Sequence, residues 1–185
     1  SRPIINSEPP YEGHVAYQSG EPHPAYNIRR AAYWSLLNAP TAGVSYGAHG
    51  VWSWENEPSV PLNHNKSGVA RPWKEAINLP GGQDMQHVAE LFTSLDWWTL
   101  RPAQDLLAEQ PGGDDPARFV AAARASSGTP MVVYLPTGGS VTLSQDVGAE
   151  AFWFNPRDGS RTSAAPVAAR TYTAPDDQDW VLVFE

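Results

Sequence analysis

A single change of texture, at Gln110-Pro111-Gly112-Gly113-Asp114-Asp115-Pro116, divides this chain and rules out one uniform architecture. Before it, short apolar runs alternate with segments of helical period; after it, short β-type runs are separated by turn residues. Two units are therefore predicted, residues 1–112 and 113–185. No internal repeat or low-complexity tract is present.

In the first unit, Pro3 to Ser7 reads as a buried strand and Arg29 to Ala39 as a helix stopped by Pro40. Gly43 to Trp54 follows, where Val44, Tyr46, Val51 and Trp52 suggest a second buried strand opening into an aromatic mouth. A Pro-, Asn- and Ser-rich loop then runs to Pro80. Met85, Val88, Leu91, Phe92 and Leu95 recur at helical spacing and predict an amphipathic helix that ends near Trp97-Trp98. Strand, helix, strand, helix is the order of consecutive βα units.

The second unit contains Phe119 to Ala125, Met131 to Leu135, Ser140 to Leu143, Ala151 to Phe154 and Trp180 to Phe184. Ser126-Ser127-Gly128, Pro136-Thr137-Gly138-Gly139 and Asn155-Pro156-Arg157-Asp158-Gly159 separate them as turns, the pattern of a small antiparallel β-sandwich. No segment of it gathers acids, histidines or a nucleophile. Support or binding is expected of it, not catalysis.

The chemistry is expected at the start of the chain. Ile4-Ile5-Asn6-Ser7 stops at Glu8, which Pro9 and Pro10 lock in place, and Tyr11-Glu12-Gly13 follows. Strands that end in a loop-held acid are where barrel hydrolases place catalytic groups, so Glu8 is the leading candidate nucleophile. Neighbouring donors such as Asn6 or a tyrosine would favour its ionised form. Glu12 is the nearest second acid; it either contacts a ligand or caps a turn by bonding backbone amides. Tyr11 either closes over the site or packs.

Eight tryptophans and 11% aromatic residues exceed what packing requires, and such an excess suits a surface that stacks on ring-shaped ligands such as sugars. Trp52 and Trp54, two apart on a segment read as extended, would point to one side, as a sugar platform or as cover for the barrel end. His49, within Tyr46-Gly47-Ala48-His49-Gly50, is placed to bond either a sugar hydroxyl or a loop carbonyl. Trp97 and Trp98 are expected to pack where the two units meet.

Other classes fit poorly. The net charge of -8, with only twelve scattered basic residues, argues against nucleic acid or an anionic membrane as partner. There is no cysteine, and His14, His23, His64 and His87 lack metal-ligand spacing. Neither a metal nor a cofactor is expected. Gly81-Gly82 has no P-loop lysine and reads as a turn before a helix. Ser35 and Ser45 lack the glycine-flanked elbow of serine hydrolases. No stretch approaches the roughly twenty apolar residues of a membrane span, and Ser1 begins no apolar leader; a mature, trimmed or internal piece would look like this. A secreted or periplasmic bacterial location is expected.

Longer motifs carry a family resemblance. Asn6-Ser7-Glu8-Pro9, Tyr11-Glu12-Gly13, Ala32-Tyr33-Trp34-Ser35, and the run from Gly43-Val44-Ser45-Tyr46 to Gly50-Val51-Trp52 resemble the apiosidase-like glycoside hydrolases (DUF4038-type, family 140-like). Leu79-Pro80-Gly81-Gly82-Gln83-Asp84-Met85, Trp97-Trp98-Thr99-Leu100-Arg101-Pro102 and Asp179-Trp180-Val181-Leu182-Val183 are similar to the rest of that family's C-terminal half. The last module resembles a domain named for collagen binding.

The resemblance implies a (β/α)8 barrel of retaining glycosidases, with a proton-donating acid after the fourth strand and the nucleophile after the seventh. Carried over by motif, Glu8 takes the seventh-strand position and Trp52 the end of the eighth. A barrel takes about 250 residues, whereas only residues 1–112 precede the sandwich. The expected fold is therefore α/β plus all-β: the C-terminal portion of a (β/α)8 barrel, strands seven and eight, followed by a small antiparallel β-sandwich. The implied function is one part of a retaining glycosidase for pentosyl or furanosyl linkages in plant-type polysaccharide. Tyr11, Glu12, Tyr46, His49 and Trp52 are its expected substrate contacts. Its partners would be an oligo- or polysaccharide and a polypeptide carrying the N-terminal barrel strands, which would supply the acid/base. The competing reading is a non-catalytic fragment that binds carbohydrate or matrix protein.

Overall fold

The computed structural model describes residues 2–185. Strand β1 (Ile4–Asn6), helix α1 (Ala25–Leu37) and strand β2 (Thr41–Val44) form one parallel β-α-β unit. Parallel strands cannot be joined by a hairpin, and α1 provides the crossover. The helix starts behind Pro24, whose extended backbone fits an N-terminal boundary, and it ends before Pro40. Ile28, Ala32, Tyr33 and Leu37 form its buried stripe.

The second strand is shorter than its apolar pattern predicts. Extended pairing ends at Val44, and after a lone parallel bridge between Glu12 and Ala48 the chain curls into turns. Backbone amides of Val51 and Trp52 donate to the Ala48 carbonyl, and that of Trp54 to Val51. Gly50, at φ 105°, permits this path. A β-carbon there would lie 2.1 Å from the Arg71 carbonyl oxygen, so the following loop packs directly on the turn.

Helix α2 (Trp73–Ala76) is one short turn. Helix α3 (Pro80–Ser94) begins with proline at its first turn, where the missing N–H costs nothing. Val88, Leu91, Phe92 and Leu95 bury its inner stripe beside α1.

The remaining strands are β3 (Leu100–Pro102), β4 (Ala121–Ala125), β5 (Met131–Leu135), β6 (Ser140–Thr142), β7 (Ala151–Phe154), β8 (Arg161–Ser163), β9 (Thr171–Thr173) and β10 (Trp180–Phe184). Six make one antiparallel sheet in the order β3-β4-β5-β10-β7-β8, while β6 and β9 pair separately. Side chains alternate across the sheet. Ala121, Ala123, Val132, Tyr134, Val181 and Val183 join the helical core. Ala122, Val133, Leu135, Leu182 and Phe184 join a second core under the β6-β9 ribbon. The small side chains of β4 let α1 approach closely. The layer opposite the helices is thus a two-strand ribbon with loops, slighter than the expected sandwich partner.

Because β3 pairs with β4, the sheet begins at Leu100, ahead of the division expected between residues 112 and 113. Trp97 packs on the helical core, but Trp98 is 59% exposed, so only the first is part of the junction. A buried ion cluster fastens helices to sheet. Arg29 of α1 donates to Asp84 of α3 at 2.7 Å and twice to Asp179 at 2.8 Å. The Tyr134 hydroxyl adds a bond to Asp179, and Tyr33 stacks flat on Tyr134 with ring centres 4.6 Å apart. Although burial opposes charge on Arg29, the two carboxylates outweigh it and hold the guanidinium protonated.

The first strand departs from expectation in exposure. Ile4 and Ile5 are 51% and 62% exposed, although adjacent residues of a strand face opposite sides. Among the described residues only β2 pairs with β1, and the pairing is irregular between Ile4 and Ile5, so both apolar side chains are left open to solvent.

Candidate functional site

A groove of about 570 Å³ opens beyond the end of β1, with Glu8, Tyr11, His14, Tyr17, Trp52 and His64 among its walls. The segment leading to it is held by backbone and hydroxyl contacts with its neighbours. The Asn6 carbonyl accepts from the Ser45 amide at 3.0 Å, and the Ser45 hydroxyl donates to the Ser7 carbonyl at 2.7 Å. The Asn6 side chain donates to the Ser35 hydroxyl at 2.8 Å, so it is turned to α1 and does not serve Glu8. Pro9 and Pro10 then fix the backbone on which Glu8 stands exposed, facing the groove. Glu8 is the only carboxylate among the described residues that line it.

Trp52 lines the same groove and is set by three aromatic neighbours. His49 lies parallel to it at 6.3 Å and 9°, Tyr11 is tilted at 6.3 Å, and His64 meets it edge-on at 4.8 Å. His14 bridges the cluster, with its ring 5.1 Å from His49 and 5.5 Å from Tyr17.

Three of the expected ligand contacts lie behind this surface. Glu12 is 3% exposed: its carboxylate accepts from the Gly81 amide at 2.9 Å and from the Tyr46 hydroxyl at 2.8 Å. It therefore caps the N-terminus of α3, where unpaired amides and the helix dipole favour an anion. Tyr46 is held in the same contact, and burial, reinforced by Glu12, raises its pKa. The role expected of Gly81 and Gly82 sharpens accordingly. A β-carbon at Gly81 would sit 2.6 Å from the Glu12 carboxylate, and one at Gly82 would sit 3.2 Å from the Tyr46 hydroxyl.

His49 is also corrected, being 2% exposed and placed behind Trp52. Its Nδ1 lies 3.2 Å from the Gly13 carbonyl and donates to it, so the loop-carbonyl alternative is the one observed. Burial lowers its pKa, against the opposing pull of the Gly13 carbonyl, and the ring is neutral near pH 7. Trp54 does not share the side of Trp52. It sits in a turn at φ 55° and stacks on Trp73.

His14, Tyr17 and His64 belong to the groove but were not singled out by sequence pattern for ligand contact. His14 and Tyr17 follow the proline-locked segment closely, which is a usable local signal; His64 enters from a distant loop and has none. Among the described residues, no group of three or more His, Asp or Glu forms a metal site, and no helix is long and apolar enough to cross a membrane.

A parallel β-α-β unit thus delivers an exposed acid to an aromatic groove. The fold recurs in solved structures. A glycoside hydrolase matches with TM-score 0.77 and 24% identity, over 98% of this chain and 42% of that one. A family 5 glycoside hydrolase from Bacteroides vulgatus matches with TM-score 0.81 and 22% identity, over 98% of this chain and 41% of that one. The chain thus has the fold of part of a glycoside hydrolase and spans about two-fifths of the length of these structures. The family described as "Apiosidase-like, catalytic domain" matches residues 1–99, and the chain belongs to it. The family described as "Putative collagen-binding domain of a collagenase" matches residues 101–185. No curated protein matches the chain.

Proposed function

We propose that this chain is the nucleophile-bearing part of a retaining glycoside hydrolase that cleaves a pentosyl or furanosyl linkage in plant-type polysaccharide. The observation that carries the reading is the exposed Glu8 carboxylate, the single acid among the described residues that line an aromatic groove at the end of a parallel strand. Retention needs a second carboxyl group about 5–5.5 Å away. That acid/base comes from barrel strands outside this chain, in the same or a second polypeptide. The apolar side chains of Ile4 and Ile5 and the unpaired edges of the β1-β2 pair are where those strands dock.

In the first half-reaction, a Glu8 oxygen attacks the anomeric carbon while the acid protonates the departing glycosidic oxygen. In the second, the same residue, now a base, takes a proton from water; the water oxygen displaces Glu8 and restores its carboxylate. Trp52 stacks on the sugar face, and neutral His49 supports the indole from behind. The sheet that starts at Leu100 acts as an accessory module. A polysaccharide substrate suits an enzyme of the secreted or periplasmic space.

The test is hydrolysis of a panel of aryl furanosides and pyranosides by the complete assembly, with and without Glu8→Gln. Loss of turnover on the preferred glycoside is expected; undiminished turnover removes Glu8 from the nucleophile role.

A further inference from the structure

The turn that brings Trp52 into the groove carries a second tryptophan away from it. Trp54 is 61% exposed, does not line the groove, and sits in the left-handed region at φ 55°. Glycine or asparagine relieves strain at such a position, and a polar side chain suits an exposed turn. Tryptophan is unfavourable there on both grounds. Strain retained on an exposed large aromatic residue points to use of the side chain itself.

The indole is also held in place before any ligand arrives. Trp73 stacks on one of its faces, with ring centres 4.7 Å apart at 13°, and the Lys74 ammonium lies 5.6 Å from the Trp73 ring centre. Glu55, the next residue, is tied at both ends of its peptide: its amide donates to the Gly50 carbonyl at 3.0 Å and its carbonyl accepts from the Trp73 amide at 2.7 Å. The Ser59 hydroxyl donates to the Glu55 carboxylate, and the contact of Gly50 with the Arg71 carbonyl seats the whole loop on the turn. One face of Trp54 rests on this base while the other is open to solvent.

We propose that the open face of Trp54 is a second glycosyl-binding platform, which stacks a neutral sugar residue of the same polymer whose cleaved end occupies the groove at Trp52. This rests on the glycosidase reading of the groove and extends it to a chain-length preference. An indole face is matched by the apolar C–H face of a sugar ring, and a side chain already immobilised by stacking loses little freedom on binding. The occupant is uncharged because Glu55 and Glu57 lie one and three positions after Trp54 and Glu75 offsets Lys74 on α2, within a chain of net charge -8. A polyanionic glycan would be repelled.

The experiment compares the complete assembly with its Trp54→Gly and Trp54→Tyr variants on a size series of neutral xylo- and arabino-oligosaccharides, and on aryl monoglycosides. Glycine relieves the left-handed strain, so folding is retained. The expected result is a Trp54→Gly protein whose affinity for the longer oligosaccharides falls about three- to tenfold, with aryl monoglycoside turnover unchanged and Trp54→Tyr restoring most of the loss. Equal losses on short and long ligands, or none on either, overturn the platform while leaving the glycosidase reading intact. A variant that keeps oligosaccharide affinity but changes the association state shows that Trp54 is a protein contact, and also overturns it. Absence of glycan turnover in the unaltered assembly overturns the underlying reading instead.

Discussion

Arg29 and Asp179 lie 150 positions apart in the chain and are joined through two hydrogen bonds of 2.8 Å, both partners being almost wholly buried. With Asp84 they form the ionic contact that holds the helical layer against the sheet. Buried pairs are costly to assemble but costlier to break, because the remaining charge is left without compensation. Asp179→Ala is therefore expected to destabilise the protein by about 3–5 kcal/mol. Denaturant unfolding of Arg29→Met, Asp179→Ala and the double variant measures it. A double variant no more stable than the sum of the single losses implies would contradict coupling between the two residues.

Glu12 should behave as a helix anchor. Glu12→Ala leaves the Gly81 amide and Tyr46 hydroxyl unpaired, at an expected cost of about 1–3 kcal/mol. Gly81→Ala should mimic it, since the new methyl group meets the Glu12 carboxylate. Both variants should keep their turnover number at temperatures well below Tm. A Glu12→Ala protein of unchanged Tm but abolished turnover would return Glu12 to the sugar site.

Glu8 makes the opposite prediction. Exposed at the groove, it should tolerate Glu8→Gln with a Tm shift below about 2 °C, while turnover falls at least about a thousandfold, as for other nucleophile deletions. For the unaltered assembly, NMR of the first-formed sugar should show the anomeric configuration of the substrate. An inverted product would exclude the double-displacement route.

Acid should weaken the fold through buried His49 and half-buried His23. Burial depresses the pKa of both His49 and His23 below the ordinary value of 6.5, and nearby His14 adds to the effect on each. As pH falls through about 6.5 the unfolded chain takes up protons that the folded chain does not. Stability that is present above this pH is then lost as pH drops toward the folded-state values. Thermal melts between about pH 8 and about pH 5 should show this loss, with a smaller slope for His49→Gln. An identical slope in the variant would remove His49 from the effect, whatever its Tm.

Ile4 and Ile5 should make the chain associate when it is prepared without the other barrel strands. Size-exclusion chromatography and dye binding should reveal self-association and exposed apolar surface. The double change Ile4→Glu and Ile5→Glu should reduce both, and should also block assembly of an active enzyme. A stable unmodified monomer that binds no dye would sink the docking role assigned to β1.

Local pattern determined much of the fold. The strands at Met131–Leu135, Ala151–Phe154 and Trp180–Phe184 match the apolar runs read from sequence, because apolar periodicity and the flanking turn residues are properties of neighbouring positions. The end of β1 before Glu8 and the prolines that follow it were legible for the same reason. Tertiary structure alone decided which way the other site residues face. Glu12 and Tyr46 turn inward because the α3 amide that claims the Glu12 carboxylate lies 69 positions later. Trp52 and Trp54 part company because Gly50 lets the loop from residue 55 onward fold back on their turn. His64 joins the groove, and Asp179 joins Arg29, through contacts that only the folded chain creates. Such pairings leave no local trace, since the free energy that selects them arises from burial and long-range hydrogen bonding.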